Sequence, residues 1–221
     1  MDPGAQVLVR EGQGERDSVT GRPSGQVLLA TENPAVSARR EPTLVTAHRA
    51  MLLAIDVHYT DEAVTTGAVG FASWADAVPS VEWVHRDSES VAPYEPGQFY
   101  RRELPYAIRA TIAAREAHPL DAIVVDAHVW LEPGRPGLGA HLFAALGGAV
   151  PVVGVAKSAY REGVAIAVLR GESRSPLWVT AEGCDPAIAA QHVRAMHGPH
   201  RIPTLLKRAD HLARGLATSR S

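Results

Sequence analysis

The chain has 221 residues, of which 46% are hydrophobic and 21% are charged, and its formal net charge is −2. A protein that coats nucleic acid is usually far more basic, one cysteine excludes an intrachain disulfide framework, and no window holds the roughly 18 uninterrupted apolar residues of a membrane span. We therefore expect one main domain in a cytoplasmic protein, and no secretory signal is visible. The basic residues are nearly all arginine, which suits phosphate contacts, so the composition does not exclude a local phosphate-binding face.

Residues 1–50 differ in composition from the rest of the chain. They contain no Phe, Trp or Tyr and are rich in Gly, Ser, Pro, Glu and Arg. Such a segment lacks the apolar area to build a core, so we predict a disordered or loosely attached N-terminal arm, with the main domain over residues 51–221. Met51 directly precedes the first strand pattern and is a candidate for the natural first residue.

The first strand pattern, Leu52 to Tyr59, carries a carboxylate at Asp56 inside an apolar run. A buried charge is tolerated only when an arginine, backbone donors or a metal ion compensates it. Two further strand patterns follow at Gly67 to Ala72 and Val81 to His85, separated by polar or proline-containing turns. This spacing predicts a three-stranded antiparallel meander.

Strands and helices alternate in the remainder, which predicts a parallel part of the sheet. The strand that ends in Asp126 repeats the pattern of Asp56. The order of strands and helices indicates an α/β fold with a ribonuclease H-like mixed sheet flanked by helices. A doubly wound fold would have a similar order of elements. The predicted elements are a helix from about Pro105 through Glu116, a strand over 123–126, a loop over 133–139, a helix over 140–146, strands over 151–157, 164–169 and 177–180, a helix from Asp185 through Met196 and a last helix from near Pro203.

Two helix-borne acids can join Asp56 and Asp126. Glu103 lies near the start of the first helix, and Asp210 lies at the edge of an apolar stripe on the last helix, formed by Leu205, Leu206, Ala209, Leu212, Ala213 and Leu216. Four carboxylates suit hard divalent cations such as Mg²⁺, and two such ions can assist phosphodiester hydrolysis. Taken singly, Glu103 and Asp210 are also compatible with solvated surface acids, and Asp56 with an ordinary ion pair.

Three other features give weaker signals. His197 and His200 form a close pair, but no second ligand pair has zinc-finger spacing, so loop histidines are expected. Cys184 precedes a helix start, where a lowered pKa is conceivable, although a plain half-buried cysteine fits as well. Gly134 to Gly139 lacks the lysine and hydroxyl of a phosphate loop and is interpreted as a flexible loop at the edge of the site.

The sequence resembles the endonuclease V family from Met51 to about Ala217. The order and spacing of several short stretches carry this resemblance: Ala54 to Tyr59, Pro93 to Gly97 with Arg102 and Glu103, Val124 to Asp126, Gly154 to Ser158, and Arg201 to Pro203 leading to Ala209 and Asp210. The resemblance implies an Mg²⁺- or Mn²⁺-dependent ribonuclease H-like nuclease that nicks DNA near deaminated bases, chiefly deoxyinosine, at the second phosphodiester on the 3′ side.

The resemblance also implies roles for individual residues. Asp56, Glu103, Asp126 and Asp210 would be the metal ligands, and Lys157 would contact a phosphate or the attacking water. The segment Pro93, Tyr94, Glu95, Pro96 and Gly97 would be the wedge that opens the duplex, with Arg102 beside it on the nucleic acid. DNA is the expected partner, ahead of RNA, and the protein is expected to be a monomer.

This sequence departs from the family pattern near the expected base pocket. Ala127 and Val129 stand where glycines are usual, Glu132 replaces a histidine, and Glu95 replaces an apolar wedge residue. These changes predict a bulkier and more acidic pocket. They also leave open an alternative function, a non-cleaving nucleic-acid-binding or protein-interaction relative that kept the fold.

Overall fold

The computed structural model describes residues 50–60, 63–88, 98, 100–161 and 163–216. The predicted arm at residues 1–50, Ala50 apart, and the wedge at residues 93–97 lie outside the described residues. The strands are β1 (Met51–Tyr59), β2 (Val64–Phe71), β3 (Val81–Asp87), β4 (Leu120–Val125), β5 (Trp130–Glu132), β6 (Arg135–Pro136), β7 (Val152–Ala156), β8 (Ile166–Val168) and β9 (Leu177–Glu182). The helices are α1 (Tyr100–Ala117), α2 (Leu138–Ala145), α3 (Pro186–Ala195) and α4 (Thr204–Ala213).

Seven strands form one mixed sheet in the order β3-β2-β1-β4-β7-β9-β8. The first three strands pair in an antiparallel meander, while β4 runs parallel to both β1 and β7. At the other edge, β9 pairs antiparallel with β7 and with β8. This is the mixed ribonuclease H-like sheet that the sequence predicts, so the predicted fold class is confirmed.

The helices cover both faces of the sheet because side chains alternate along each strand. On β1, Leu52 and Ala54 point into a core shared with α3 and α4, whereas Leu53 and Ile55 point into a core shared with α1 and α2. Strands that are buried on both faces read as continuous apolar runs, which is why β1, β4 and β7 stand out in the sequence.

Several details differ from the sequence prediction. Helix α1 begins at Tyr100, so Pro105 lies within the helix and not in its first turn. The predicted loop over 133–139 contains part of a small β5–β6 hairpin, with Gly134 in its turn at a φ of 75°. Leu216 lies beyond the end of α4 and is exposed, so the apolar stripe of that helix stops at Ala213.

The last two helices begin as predicted. Asp185 is the N-cap of α3 and accepts a hydrogen bond of 2.7 Å from the backbone N–H of Ala187, with Pro186 at the first helical position. Pro203 is the N-cap of α4. Within the part of the chain that the structure describes, no helix is both long and apolar enough to cross a membrane.

Candidate active site

Two strand-borne acids lie side by side at the carboxyl edge of the central sheet. Ile55 pairs with Val125 in the parallel β1–β4 ladder, so Asp56 and Asp126 follow at matching positions. Asp126 comes directly after the last residue of β4. Parallel strands deliver their next residues to one sheet edge, and this places the two carboxylates that sequence analysis singled out in one site.

Helix α4 brings Asp210 to the same place by close packing on β1 and β2. Gly67 pairs with Asp56 across the β1–β2 ladder, and a Cβ at Gly67 would lie 2.4 Å from the carbonyl oxygen of Ala209. The missing side chain therefore lets the helix backbone approach the sheet directly over Asp56. Ala209 and Ala213 are buried against the sheet, and Asp210 is turned to the edge of the apolar stripe, as its position in the sequence predicts.

Helix α1 contributes Glu103 from the other face of the sheet. Glu103 lies in the first turn of α1, where the helix dipole favours a negative charge. Even so, burial and the negative charges of Asp56 and Asp126 raise the pKa of Glu103 to about 8. The earlier start of α1 sets this position, because a helix that began at Pro105 would leave Glu103 outside it.

All four acids line one cavity of about 320 Å³, together with Val57, His58 and Tyr59 from the end of β1. Burial, followed by the charges of Asp126 and Asp210, raises the pKa of Asp56 to about 7. A site that strongly disfavours its own negative charge is suited to a bound cation. The four predicted metal ligands therefore line the same cavity.

Cationic side chains hold two of these acids in the structure. Lys157 Nζ donates to Asp126 Oδ2, and Arg214 Nε donates to Asp210 Oδ1 at 2.8 Å. Among the described residues, no three His, Cys, Asp or Glu side chains lie close enough together to hold one metal ion. The donor set nevertheless fits a hard divalent cation, since it consists of carboxylate oxygens around one charged cavity.

Lys157 follows the last residue of β7 and reaches the acids from the strand end. Burial lowers the pKa of its ammonium group, but the hydrogen bond to Asp126 and the charges of Asp126, Asp56 and Asp210 outweigh this and raise the pKa above its ordinary value. Lys157 is therefore a persistent cation at the site. Arg214 was missed by the sequence analysis, although its position four residues after Asp210 is the spacing of a helical ion pair.

Val129, one of the departures from the family pattern, does not line this cavity. The Val129 side chain is fully buried and faces the core, where a Cβ on Gly139 would come within 2.5 Å of it. The backbone N–H of Val129 donates to Thr180 Oγ1 at 2.7 Å, which fixes this orientation. The Val129 side chain therefore packs away from the acid-lined cavity, and the bulkier base pocket stays a prediction.

The same loop is tied to neighbouring strands at two other points. Trp130 Nε1 donates to Glu182 Oε2 at 2.6 Å, and a ring nitrogen of His128 lies 2.9 Å from the carbonyl oxygen of Ser158. The segment after β4 is therefore anchored at Trp130 and His128.

One residue of the predicted nucleic-acid contact lies among the described residues. The Arg102 guanidinium stands 4.2 Å from the centroid of the Tyr59 ring, in a cation–π arrangement beside the cavity. The remaining predicted contact residues, Pro93, Tyr94, Glu95, Pro96 and Gly97, lie outside the described residues.

The weaker candidates form no second site. His197 Nδ1 lies 3.0 Å from Thr204 Oγ1 in an exposed loop, in keeping with the expected loop histidine. Burial and the charges of Asp185 and Glu182 raise the pKa of the Cys184 thiol, so the lowered value considered for a helix start is wrong.

A second cavity of about 300 Å³ adjoins the acids between the sheet and α4 and was not foreseen from the sequence. It shares Asp56, Asp126, Lys157 and Asp210 with the site, and its other walls are mostly apolar. Arg201 lies at its edge. Only the tertiary packing of α4 creates this space, so no local pattern could reveal it.

The family model for endonuclease V matches residues 35–183. This chain belongs to the endonuclease V family. It is accordingly a nuclease, and the resemblance in the short motifs is confirmed. The match begins upstream of Met51, so part of the segment predicted to be an arm is also similar to endonuclease V. A search among curated proteins finds no match.

Solved structures of endonuclease V share the fold. The Streptomyces avermitilis endonuclease V is 26% identical, with 76% of this chain and 82% of that chain covered at a TM-score of 0.57. Human endonuclease V is 18% identical, with coverage of 82% and 89% and a TM-score of 0.62. A Ciona intestinalis endonuclease V in complex with a 24mer DNA containing an inosine followed by a ribo-adenosine is 19% identical, with coverage of 75% and 85% and a TM-score of 0.63.

Proposed function

We propose that this endonuclease V family member is a metal-dependent endonuclease that hydrolyses a phosphodiester near a deaminated base, deoxyinosine or inosine, in nucleic acid. The observation that carries the proposal is the single cavity lined by Asp56, Glu103, Asp126 and Asp210. Packing of the two strands and two helices does not require their four carboxylates to lie around one cavity. Their mutual repulsion is destabilising unless a cation compensates it.

The four carboxylates would hold Mg²⁺ or Mn²⁺ through their oxygens. A divalent cation bound there would lower the pKa of a water molecule and neutralise charge that develops on the phosphate. Lys157 and Arg214, which pair with Asp126 and Asp210 in the structure, would bind non-bridging phosphate oxygens of the substrate. The reaction proceeds by direct hydrolysis with no covalent intermediate on the protein.

Nucleic acid would approach along the side of the cavity that holds Arg102 and Tyr59. A cation stacked on an aromatic ring offers both a phosphate contact and a flat face for an unstacked base. The predicted wedge at Pro93 to Gly97 precedes α1 directly in the chain. The inosine in the DNA of the Ciona intestinalis complex supports a deaminated base as the lesion.

A cleavage assay tests this proposal. The wild-type protein is incubated with a labelled duplex carrying one deoxyinosine, with a single-stranded RNA carrying one inosine, and with undamaged counterparts, in Mg²⁺, Mn²⁺ or EDTA. We expect metal-dependent nicking at the second phosphodiester 3′ of the lesion, and a loss of at least 100-fold in Asp56→Ala and Asp126→Ala.

Asp121→Ala is the matched control, because Asp121 is an exposed acid near the start of β4, the same strand that Asp126 follows. Its activity should equal that of the wild type. Binding of the lesion-containing strand without any metal-dependent nicking would overturn the proposal and favour the non-cleaving alternative.

A further inference from the structure

Arg170 is an unusual arginine in this fold because it is buried, with 6% of its surface exposed. Its guanidinium donates to backbone carbonyl oxygens in the last turn of α3 and in the segment that joins α3 to α4. The acceptors are the carbonyls of Arg194 at 3.3 Å, Gly198 at 3.3 Å, His200 at 3.0 Å, Arg201 at 3.2 Å and Met196.

These hydrogen bonds have a specific structural consequence. Helix α3 ends at Ala195, and its last carbonyls lack intrahelical partners, so a cation there satisfies them and complements the helix dipole. The bonds to His200 and Arg201 extend the same anchor up to the start of α4. Removing Arg170 would leave several carbonyls in a half-buried loop without donors, at a cost for each of them.

Arg201 continues the chain of contacts toward the candidate active site. Its Nη2 donates to the carbonyl oxygen of Lys157 and, at 2.7 Å, to that of Pro176. Lys157 is the first residue beyond β7 and is itself exposed, so its backbone has left the sheet ladder. The guanidinium supplies a donor to this backbone at the point where the Lys157 side chain turns toward Asp126.

We propose that Arg201 is a positioning residue for Lys157 and that Arg170 holds Arg201 in place through the Arg201 carbonyl. Arg201 does not need to contact the substrate, since its guanidinium holds the backbone from which the Lys157 ammonium extends. The lysine side chain is long and flexible, so a fixed backbone restricts where its ammonium group can lie. Small misplacements of such a group lower the rate of catalysis. This inference rests on the proposed catalytic role of Lys157.

A double-mutant cycle tests the inference in the full chain. Cleavage of the deoxyinosine duplex is measured for the wild type, Arg201→Ala, Lys157→Ala and the double variant. We expect Arg201→Ala to lower kcat at least tenfold with KM changed less than threefold. In the Lys157→Ala background, the same substitution should lower kcat by less than twofold, because the group it positions is gone.

Additive losses in this cycle would overturn the inference, since they would mean that Arg201 acts independently of Lys157. Melting curves accompany the kinetics, and if Arg201→Ala does not fold, Arg201→Lys, which keeps the charge but loses the fork, takes its place in the cycle. Arg170→Lys should give the same kcat loss as the Arg201 variant and the same insensitivity in the Lys157→Ala background.

Arg174→Ala serves as the control because Arg174 is exposed in the connection between β8 and β9, which also contains Arg170. It should retain wild-type kcat and KM. The failure modes are separate: a wild-type protein without metal-dependent cleavage, or a fully active Lys157→Ala variant, contradicts the proposed function, whereas a wild-type-like Arg201→Ala or an additive cycle contradicts only the positioning role.

Discussion

Asp56, a proposed metal ligand, destabilises the fold by its buried charge. It occupies a strand position between apolar neighbours, and burial together with Asp126 and Asp210 raises its pKa from 3.8 to about 7. Ionising it in the folded state is therefore unfavourable. The rise corresponds to at most about 4 kcal/mol at high pH, and contact with the cavity reduces that figure.

This cost predicts a pH dependence of stability in EDTA. An acid whose folded pKa is raised destabilises the fold progressively as pH rises from its unfolded pKa, 3.8, through its folded value, about 7. We expect the melting temperature of the wild type to fall between pH 5 and pH 8. Asp56→Asn should flatten this fall and raise the melting temperature at pH 8 by roughly 5 °C.

The comparison of the two proteins across the pH range reports on Asp56 and on its effect on Glu103, whose pKa the Asp56 charge helps to raise, because every other ionisable group is the same in both. Differential scanning fluorimetry at constant ionic strength is sufficient. A parallel fall in the wild type and Asp56→Asn would contradict the assignment of the cost to this carboxylate.

Individual side chains also mark the limits of sequence reasoning. Asp56 and Asp126 could be found from the sequence because an acid that interrupts or ends an apolar strand is anomalous by itself. The direction of Val129 could not, since its burial depends on the absence of a side chain at Gly139 ten residues later. Arg170 and Arg201 carry no local signal, because their partners are backbone carbonyls brought near by folding.

At the scale of elements, the placement of α4 depends on Gly67. A Cβ at this position would lie 2.4 Å from the Ala209 carbonyl oxygen and 2.6 Å from the Ala213 backbone nitrogen, so the helix would have to move away from the sheet. Backbone atoms cannot yield by a rotamer change. The position of Asp210 relative to Asp56 is therefore set by a glycine on a neighbouring strand.

Gly67→Ala should consequently affect both stability and activity. We expect a loss of about 3 kcal/mol in the free energy of unfolding, as for overpacking in a rigid core, and a loss of at least tenfold in cleavage because Asp210 shifts with α4. Urea denaturation and the deoxyinosine assay measure the two effects. Thr65→Ala, two residues away on β2, is the control and should cost less than about 1 kcal/mol.

An unchanged stability in Gly67→Ala would mean that α4 does not pack as closely as described. Retained cleavage in a destabilised variant would mean that cleavage does not need Asp210 in its present position. The other three acids would then be the proposed metal ligands.

The elements that could be predicted are those with a strong period or an end signal. The meander β1–β3, the parallel strands β4 and β7, and the Asp185–Pro186 start of α3 fall into this group. The β5–β6 hairpin could not be predicted because its strands have three and two residues and are interrupted by Pro133 and Gly134. The predicted start of α1 at Pro105 is too late in the chain, since a proline favours the first turn of a helix but can also lie further inside it.

At the scale of the whole molecule, the site lies where the two cores of the protein meet. Asp56 and Asp126 extend from strands that have α3 and α4 on one face and α1 and α2 on the other, and the helix-borne acids Asp210 and Glu103 come from opposite faces. Cations held in the cavity that these acids line would link both layers through the end of the sheet. Binding there is therefore coupled to global unfolding and not only to local order.

This coupling predicts that a divalent cation stabilises the whole protein. A ligand that binds only the folded state adds RT ln(1 + [L]/Kd), about 2.7 kcal/mol at a concentration 100-fold above Kd. For a domain of this size, we expect Mg²⁺ or Mn²⁺ at pH 8 to raise the melting temperature by roughly 5–10 °C, and EDTA to reverse the rise. Sodium chloride at the same ionic strength is the control for screening of the acids.

The difference in melting temperature between the wild type and the variant that lacks the central carboxylate should depend on Mg²⁺. Asp56→Asn is expected to melt above the wild type in EDTA, because it removes a buried charge, and to gain little from Mg²⁺, because it has lost a ligand. At saturating Mg²⁺ the two curves should converge or cross. If Mg²⁺ raised both melting temperatures equally, the cation would be acting elsewhere on the protein. Metal binding would then not explain why the four acids line one cavity.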